Sequence, residues 1–145
     1  MIGLLQRVTG ASVDVDGERI AEIGPGLLVL VGVRPEDTES NAERLLDRLL
    51  GYRVFADDGG RMNLDLGQVG GGLLLVPQFT LAADTRKGRR PGFSTAAPPA
   101  QGERLFRYLV SCATARLPLC QSGRFGADMQ VGLINDGPVT FWLEG

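Results

Sequence analysis

A Gly-Pro pair near the C-terminus constrains the fold of this chain more than any other feature. Gly137 and Pro138 lie in the string Asn-Asp-Gly-Pro-Val-Thr at 135–140, between two apolar runs, 129–134 and 139–143, that have the character of strands. Proline has no N–H to donate to a ladder, whereas Asn-Asp-Gly-Pro is strong turn chemistry in which a cis peptide is tolerated. We therefore predict two strands joined by a sharp turn. That turn is either an ordinary hairpin or a rigid tip that presents backbone carbonyls to something outside its own strand.

The remaining pattern predicts an α/β fold in a single domain over residues 1–145. Further strands are predicted over 2–8, 12–15, 19–23, 27–33 and 73–76. An N-cap at Asp37 or Thr38 precedes an apolar stripe at helical spacing, and Pro98-Pro99 begins a second helix. The members of the stripe are Leu45, Leu46, Leu49 and Leu50. We expect a curved, mainly antiparallel, barrel-like sheet with two main helices.

Composition excludes several classes of protein. The chain has 145 residues, 43% of them hydrophobic and 22% charged, which is typical of a folded soluble domain. No apolar stretch is long enough to cross a bilayer, and the N-terminus lacks the features of a signal peptide. Cys112 and Cys120 have neither a metal-site spacing nor the pattern of a disulfide framework. These features favour the cytoplasm, and we expect no metal and no cofactor.

The absence of histidine restricts the chemistry further. With 0 His in the sequence, Ser-His and Cys-His nucleophiles and His-ligated metals are excluded. The formal net charge of −2 means that a nucleic-acid partner must be held by a local patch. Residues 86–90, Arg-Lys-Gly-Arg-Arg, are either such a phosphate-binding loop or a solvated one.

Two segments carry candidate site residues. Gln78, Phe79 and Thr80 follow the predicted strand 73–76, where polar groups and backbone N–H groups often line a pocket mouth. Alternatively, Thr80 only bonds to backbone at a strand end. In the glycine-containing loop 122–129, Phe125 and Met129 either pack on a nucleobase or belong to the core.

These motifs resemble the paired signature of D-aminoacyl-tRNA deacylases. Gln-Phe-Thr-Leu at 78–81 precedes the Asn-Asp-Gly-Pro-Val-Thr string in the order that the family has, and the likeness runs the whole length of the chain. Collinear segments lie at 6–8, 26–30, 62–64, 90–93 and 123–129. The resemblance implies a homodimer that hydrolyses the ester joining a D-amino acid, or glycine, to the 3′ end of tRNA.

The resemblance also implies roles for individual residues. In the family the Gly-Pro element is cis and reaches into the partner subunit's active site, so Gly137 and Pro138 become the chiral filter that excludes L side chains. The catalytic pocket is then formed by Gln78, Phe79 and Thr80. Substrate binding involves further residues, which are Arg7 holding the Gly-Pro element, Asn135 within the motif, and Met129 and Phe125 near the terminal adenosine.

Physical chemistry favours one mechanism for such a site. A neutral threonine hydroxyl without a base is a weak nucleophile, and Thr80 has no evident base in its motif. An aminoacyl ester is already activated, so positioning, backbone oxyanion donors and the neighbouring ribose hydroxyl suffice. We expect Thr80 to position the substrate rather than to form an acyl-enzyme. Because glycine has no side chain to exclude, glycyl-tRNA mischarged on tRNA(Ala) is an expected substrate.

Pro77 departs from the commonest family pattern, which has serine there. A related subfamily that acts on L-alanyl-tRNA mischarged to a threonine tRNA resembles this chain at Pro77, but usually lacks a Phe at the position of Phe79. Relaxed chirality is therefore one alternative. An RNA-binding or structural homodimer without catalysis is the other.

Overall fold

A long first strand organises the fold in the computed structural model, which describes residues 1–145. The strands are β1 (Ile2–Val15), β2 (Glu18–Ile23), β3 (Gly26–Gly32), β4 (Phe55–Ala56), β5 (Met62–Leu64), β6 (Gly72–Pro77), β7 (Cys120–Ser122) and β8 (Gln130–Glu144). The helices are α1 (Glu39–Gly51), α2 (Leu66–Val69) and α3 (Pro99–Arg116), and a 3₁₀ turn spans Phe79–Ala82.

The main sheet is mixed and strongly curved. Strand β1 pairs antiparallel with β2, β3 and β8, whereas β3, β6 and β7 are parallel to one another. The order is β2-β1-β3-β6-β7, with β8 on β1, and the Glu22 N–H of β2 donates to Gln121 Oε1 of β7 at 2.7 Å. The ends of the sheet therefore meet, which confirms the predicted barrel-like α/β domain.

The prediction of two separate strands on either side of the Gly-Pro pair is wrong. Both flanks of the pair belong to β8 and both pair with β1, as do the predicted strands 2–8 and 12–15, which form one continuous strand. Gln6 lies opposite Thr140 and Val8 lies opposite Asn135, so residues 136–139 bulge out of the ladder. The turn-forming residues were identified correctly, but they form a large bulge within one strand, because both flanks pair with β1.

The two main helices pack on the sheet as predicted. Helix α1 buries Ala42, Leu45, Leu46 and Leu49, and α3 buries Leu105, Phe106, Leu109 and Ala113. Thr38 is the N-cap of α1, and its N–H donates to Asn41 Oδ1 at 2.8 Å. Pro99 is the first residue of α3, where its missing N–H costs nothing. None of the helices has the length and apolarity to span a membrane.

Asp37 is the one charged side chain in the core. The Met1 ammonium donates to its Oδ1 at 2.6 Å, and the Arg34 N–H donates to its Oδ2 at 2.7 Å. The side chains of Met1 and Asp37 are 0% and 3% exposed. The start of β1 is therefore tied by a buried ion pair to the turn that precedes α1.

Candidate active site

The carboxyl ends of the parallel strands β3 and β6 position residues 78–80. The Gln78 N–H donates to the Val31 carbonyl at 2.7 Å, and the Ala97 N–H donates to the Val33 carbonyl at 2.9 Å. At Gly32 a Cβ atom would lie only 3.0 Å from Leu81 Cβ, so glycine lets the 3₁₀ turn sit close against β3. The carboxyl ends of β3 and β6, two strands buried on both faces, thus hold this short turn in place.

A pocket of about 430 Å³ opens beside this turn. Pro77, Gln78 and Phe79 form one wall, and Phe125 and Met129 come from the loop that follows β7. Helix α3 supplies the remaining side through Gly102 and Phe106. The structure therefore brings Gln78 and Phe79 together with the predicted segment 122–129, and the pocket between them is mostly apolar, whereas Thr80 does not line it.

Thr80 lies at the exposed edge of this region. Its Oγ1 accepts a hydrogen bond from the Gln78 side-chain amide, and it has no contact with a carboxylate or amine. An amide group does not accept a proton at neutral pH in either orientation of its O and N atoms. The Thr80 hydroxyl therefore lacks a general base within the chain.

Two backbone N–H groups at the turn are free to bind a ligand. Phe79 and Thr80 are the first two residues of the 3₁₀ turn, where no preceding turn supplies a carbonyl. The neighbouring N–H groups of Gln78 and Leu81 have backbone acceptors, whereas those of Phe79 and Thr80 have none. Two adjacent unpaired N–H groups are a suitable donor set for an oxyanion.

An exposed aromatic pair borders the turn. The rings of Phe79 and Phe93 lie 5.2 Å apart at an interplanar angle of 49°. They are 55% and 47% exposed, which is unusual for phenylalanine. The pair therefore links the turn to the segment that follows the basic loop.

Pro77 fits the end of β6 without losing a ladder hydrogen bond. Strand β7 ends opposite Leu75, so the edge of β6 beside Pro77 has no strand partner on that side. A Cβ atom at Gly123 would lie 3.3 Å from Pro77 Cδ and 2.9 Å from Met129 Sδ. The proline ring and the methionine therefore require a glycine in the loop that they contact.

Arg7 anchors the Gly-Pro segment, which we define as residues 135–139. Its Nε donates to the Asp136 carbonyl at 2.9 Å, and its Nη1 donates to the Val54 carbonyl at 2.6 Å. The Gly137–Pro138 peptide is cis, and Gly137 has a φ of 142°, which L side chains rarely adopt. Both residues of the pair are exposed.

Asn135 stabilises the same segment through hydrogen bonds within it. Its Oδ1 accepts from the Val139 N–H at 2.7 Å, and its Nδ2 donates to Thr140 Oγ1 at 2.9 Å. Both ends of the amide are thus occupied inside the bulge. The geometry favours a positioning role for Asn135, whereas the resemblance implied a role in substrate binding.

The Gly-Pro segment and residues 78–80 lie far apart in the folded protomer. Arg7 is opposite Leu27 on β3, while Gln78 bonds to Val31, four residues or about 13 Å further along that strand. The segment also lies across β1 from β3, because β3 and β8 pair with opposite edges of β1. No residue of the segment lines the pocket.

Comparison with known proteins assigns the chain to a family. The family profile described as D-Tyr-tRNA(Tyr) deacylase matches residues 4–144. The chain belongs to this family. It is 64% identical over 144 residues to a D-aminoacyl-tRNA deacylase of Pseudomonas fluorescens, and 62% identical over 144 residues to one of Azotobacter vinelandii. Each alignment covers 99% of this chain and 99% of the relative, so the predicted family of ester hydrolases is confirmed.

Solved structures have the same fold. A c-Myc DNA unwinding element binding protein superposes with a TM-score of 0.95 at 39% identity, covering 100% of this chain and 99% of that one. A probable eukaryotic D-amino acid tRNA deacylase superposes with a TM-score of 0.86 at 16% identity, covering 99% and 98%. The second likeness concerns the fold alone.

Four residues near the family motifs were not found from the sequence. Gly102 and Phe106 of α3 line the pocket, Phe93 packs on Phe79, and the Val54 carbonyl accepts from Arg7. Only Gly102 carried a local signal, because glycine is unfavourable in a helix interior unless packing requires it. The others meet the site through tertiary contacts.

Proposed function

We propose that this protein hydrolyses the ester of D-aminoacyl-tRNA and releases tRNA and the free D-amino acid. The observation that supports the proposal is that Gln78 and Phe79 line an apolar pocket, with the exposed Thr80 next to them in the chain and two unpaired backbone N–H groups in the same turn. Such a site can bind a nucleoside and stabilise an oxyanion at adjacent positions. The cytoplasm, where tRNA is aminoacylated, is the matching compartment.

In this proposal the pocket holds the terminal adenosine of the tRNA. Phe125 and Phe106 offer aromatic surfaces, and Met129 supplies a polarizable thioether beside them. Stacking of a base on an aromatic side chain contributes about 1–3 kcal/mol. The acyl ester then extends from the ribose toward Gln78 and Thr80 at the pocket mouth.

The chemistry needs no covalent intermediate on the protein. The N–H groups of Phe79 and Thr80 would bind the developing oxyanion, and one such donor contributes about 10²–10³-fold to a rate. The Thr80 hydroxyl would orient the substrate while a water attacks the ester carbon, assisted by the ribose 2′-OH. The leaving 3′ oxygen then takes up the proton that the attacking water loses.

A second copy of the chain would complete the site. The Gly-Pro segment is exposed and lies too far from residues 78–80 to act on them within one protomer. Strand β8 exposes the apolar side chains of Leu133 and Ile134, of which Ile134 is 67% exposed. An isologous homodimer through this part of β8 would bring the segment of each protomer to the pocket of its partner.

The Gly-Pro segment would select handedness by exclusion. Gly137 and Pro138 form a backbone wall that Arg7 and Asn135 hold in place. A wall that an L side chain must overlap penalises the wrong enantiomer directly, whereas one methylene of favourable contact gives only about 1–3 kcal/mol. Glycine meets no such wall, so glycyl-tRNA(Ala) is also a proposed substrate.

Deacylation of matched tRNAs tests this function. Release from D-tyrosyl-tRNA and from glycyl-tRNA(Ala), with L-tyrosyl-tRNA intact, is the expected result. Release of L-alanine from a mischarged threonine tRNA would instead support relaxed chirality connected with Pro77. Binding of tRNA without any release would support a binding protein.

Variants test the mechanism and the dimer. The Thr80→Ala variant should hydrolyse the ester more slowly but by the same non-covalent mechanism. Trapping an acyl group on Thr80 of the wild type would contradict that mechanism. Ile134→Glu should give a folded monomer with little deacylation. Met62→Glu is the matched control, because Met62 is also exposed, at 51%, but lies on β5 away from the proposed interface.

A further inference from the structure

We infer that residues 84–92 form a cationic hairpin that binds the phosphodiester backbone of the nucleotides preceding the terminal adenosine. This inference rests on the proposed function and extends it from the acylated end to the single-stranded 3′ arm of the tRNA. The hairpin lies outside the pocket and contributes none of its walls.

One cation of the hairpin is paired with a carboxylate and three are not. Arg86 forms a bidentate pair with Asp84, with Nε to Oδ1 at 2.9 Å and Nη2 to Oδ2 at 2.8 Å. The same contact keeps the pKa of the Asp84 carboxyl well below its usual range. Lys87, Arg89 and Arg90 take part in none of the ion pairs of the chain. Three exposed cations within four positions are thus available to an external anion.

The cationic hairpin has a defined shape. The Asp84 N–H donates to the Gly92 carbonyl at 2.7 Å, and the Gly92 N–H returns a bond to the Asp84 carbonyl at 3.0 Å. Gly88 at the tip has a φ of 73°, which favours glycine. The closed base and the turned tip direct the cations to the outside of a short loop, so fewer side-chain arrangements are lost on binding.

The base of the cationic hairpin is fixed to the candidate active site. Phe93 directly follows the hairpin and packs on Phe79 at the pocket mouth. Thr95 Oγ1 donates to the Ala82 carbonyl at 2.6 Å, which ties the returning chain to the end of the 3₁₀ turn. The seven residues between the paired ends reach about 11 Å from the base. That reach suits the backbone next to a nucleoside in the pocket.

The overall charge of the protein makes a local patch necessary. The chain carries a formal net charge of −2, which repels a polyanion at long range. Arg and Lys side chains bind phosphate oxygens by charge-assisted hydrogen bonds, and they release counterions as they do so. Phosphate contact at this hairpin therefore predicts a characteristic dependence on salt.

The test compares salt dependence between two triple variants. The hairpin variant is Lys87→Gln/Arg89→Gln/Arg90→Gln. The control removes the same charge from exposed sites on β2, α1 and α3 and is Arg19→Gln/Arg44→Gln/Arg116→Gln. We measure kcat/KM on D-tyrosyl-tRNA, and direct tRNA binding, from 50 to 300 mM KCl. The hairpin variant should make the log–log slope shallower by about 2, since each single-strand phosphate contact contributes about 0.7, and the control should keep the wild-type slope.

A substrate without phosphates separates this inference from the proposed function. On 3′-O-D-tyrosyl-adenosine, the hairpin variant should match the wild type, because no backbone is present for it to bind. An equal loss on both substrates would mean that the hairpin only supports the pocket, and an unchanged slope with tRNA would overturn the inference directly. If the wild type hydrolysed neither substrate, the proposed function would fail, and the slope of direct tRNA binding would still decide the role of the hairpin.

Discussion

Gly102 offers the sharpest test of the pocket, because one position separates stability from binding. It is buried in α3, and a Cβ atom there would lie 3.4 and 3.5 Å from two ring atoms of Phe125, an ordinary contact distance. Gly102→Ala should therefore stabilise the helix by about 0.8–1 kcal/mol. For a chain of this size, a gain of 1 kcal/mol raises the melting temperature by about 2–4 °C.

Gly102→Leu should displace the Phe125 ring, because a Cβ there is already 3.4 Å from it, and so disturb the place where the adenine is proposed to stack, at a cost in stability of about 1–3 kcal/mol. Loss of a stacking energy of about 1–3 kcal/mol lowers kcat/KM on D-tyrosyl-tRNA about 5- to 160-fold. Thermal unfolding and deacylation kinetics of Gly102→Ala and Gly102→Leu, measured side by side, check both effects. A Leu variant that retains wild-type kcat/KM would refute the assignment of this pocket to the terminal nucleoside.

Three further changes have defined outcomes. Gly137→Ala places a Cβ atom 2.7 Å from Val139 Cγ2 at a φ of 142°, so it should cost about 1–3 kcal/mol of stability and raise release from L-tyrosyl-tRNA, which thermal melts and deacylation assays measure. Asp37→Asn leaves the buried N-terminal ammonium uncompensated and should cost about 3–5 kcal/mol in urea unfolding. The Arg34 hydrogen bond lowers the pKa of Glu144 to about 2. Above pH 4.5 the free energy of unfolding of the wild type should therefore exceed that of Glu144→Gln, by only about 0.2–1 kcal/mol because the pair is partly exposed. That difference should vanish as the pH falls toward 2, and equal stability of the two proteins at pH 7 would contradict the contribution.

Local periodicity was sufficient to predict some elements and insufficient for others. The stripe of Leu45, Leu46 and Leu49 identified α1, because every residue that decides the pattern lies within the helix itself. The Gly-Pro bulge was predicted as a sharp turn between two strands, since the difference depends on both flanks pairing with the same edge of β1. No local pattern encodes that long-range pairing.

The candidate site shows the same division between local and distant information. Gln78 and Thr80 stood out as polar residues after a buried strand; in the structure Gln78 lines the pocket and Thr80 is exposed beside it. Phe106 and Phe93 were not singled out, because their contacts with the site arise only when α3 and the returning chain pack against the turn. Residue chemistry is visible in the sequence, whereas partnership across the fold is not.

The Gly-Pro segment bulges out of the ladder, but the two flanks that hold it belong to β8 and pair with β1 in the central sheet. Val139 and Leu143, on the same strand, are 5% and 2% exposed and belong to the main hydrophobic core. Amide hydrogens of the flanks that pair with β1 should therefore exchange with solvent only through openings nearly as costly as global unfolding. Any selectivity that depends on this backbone will survive warming until the whole molecule melts, with no earlier loss of fidelity.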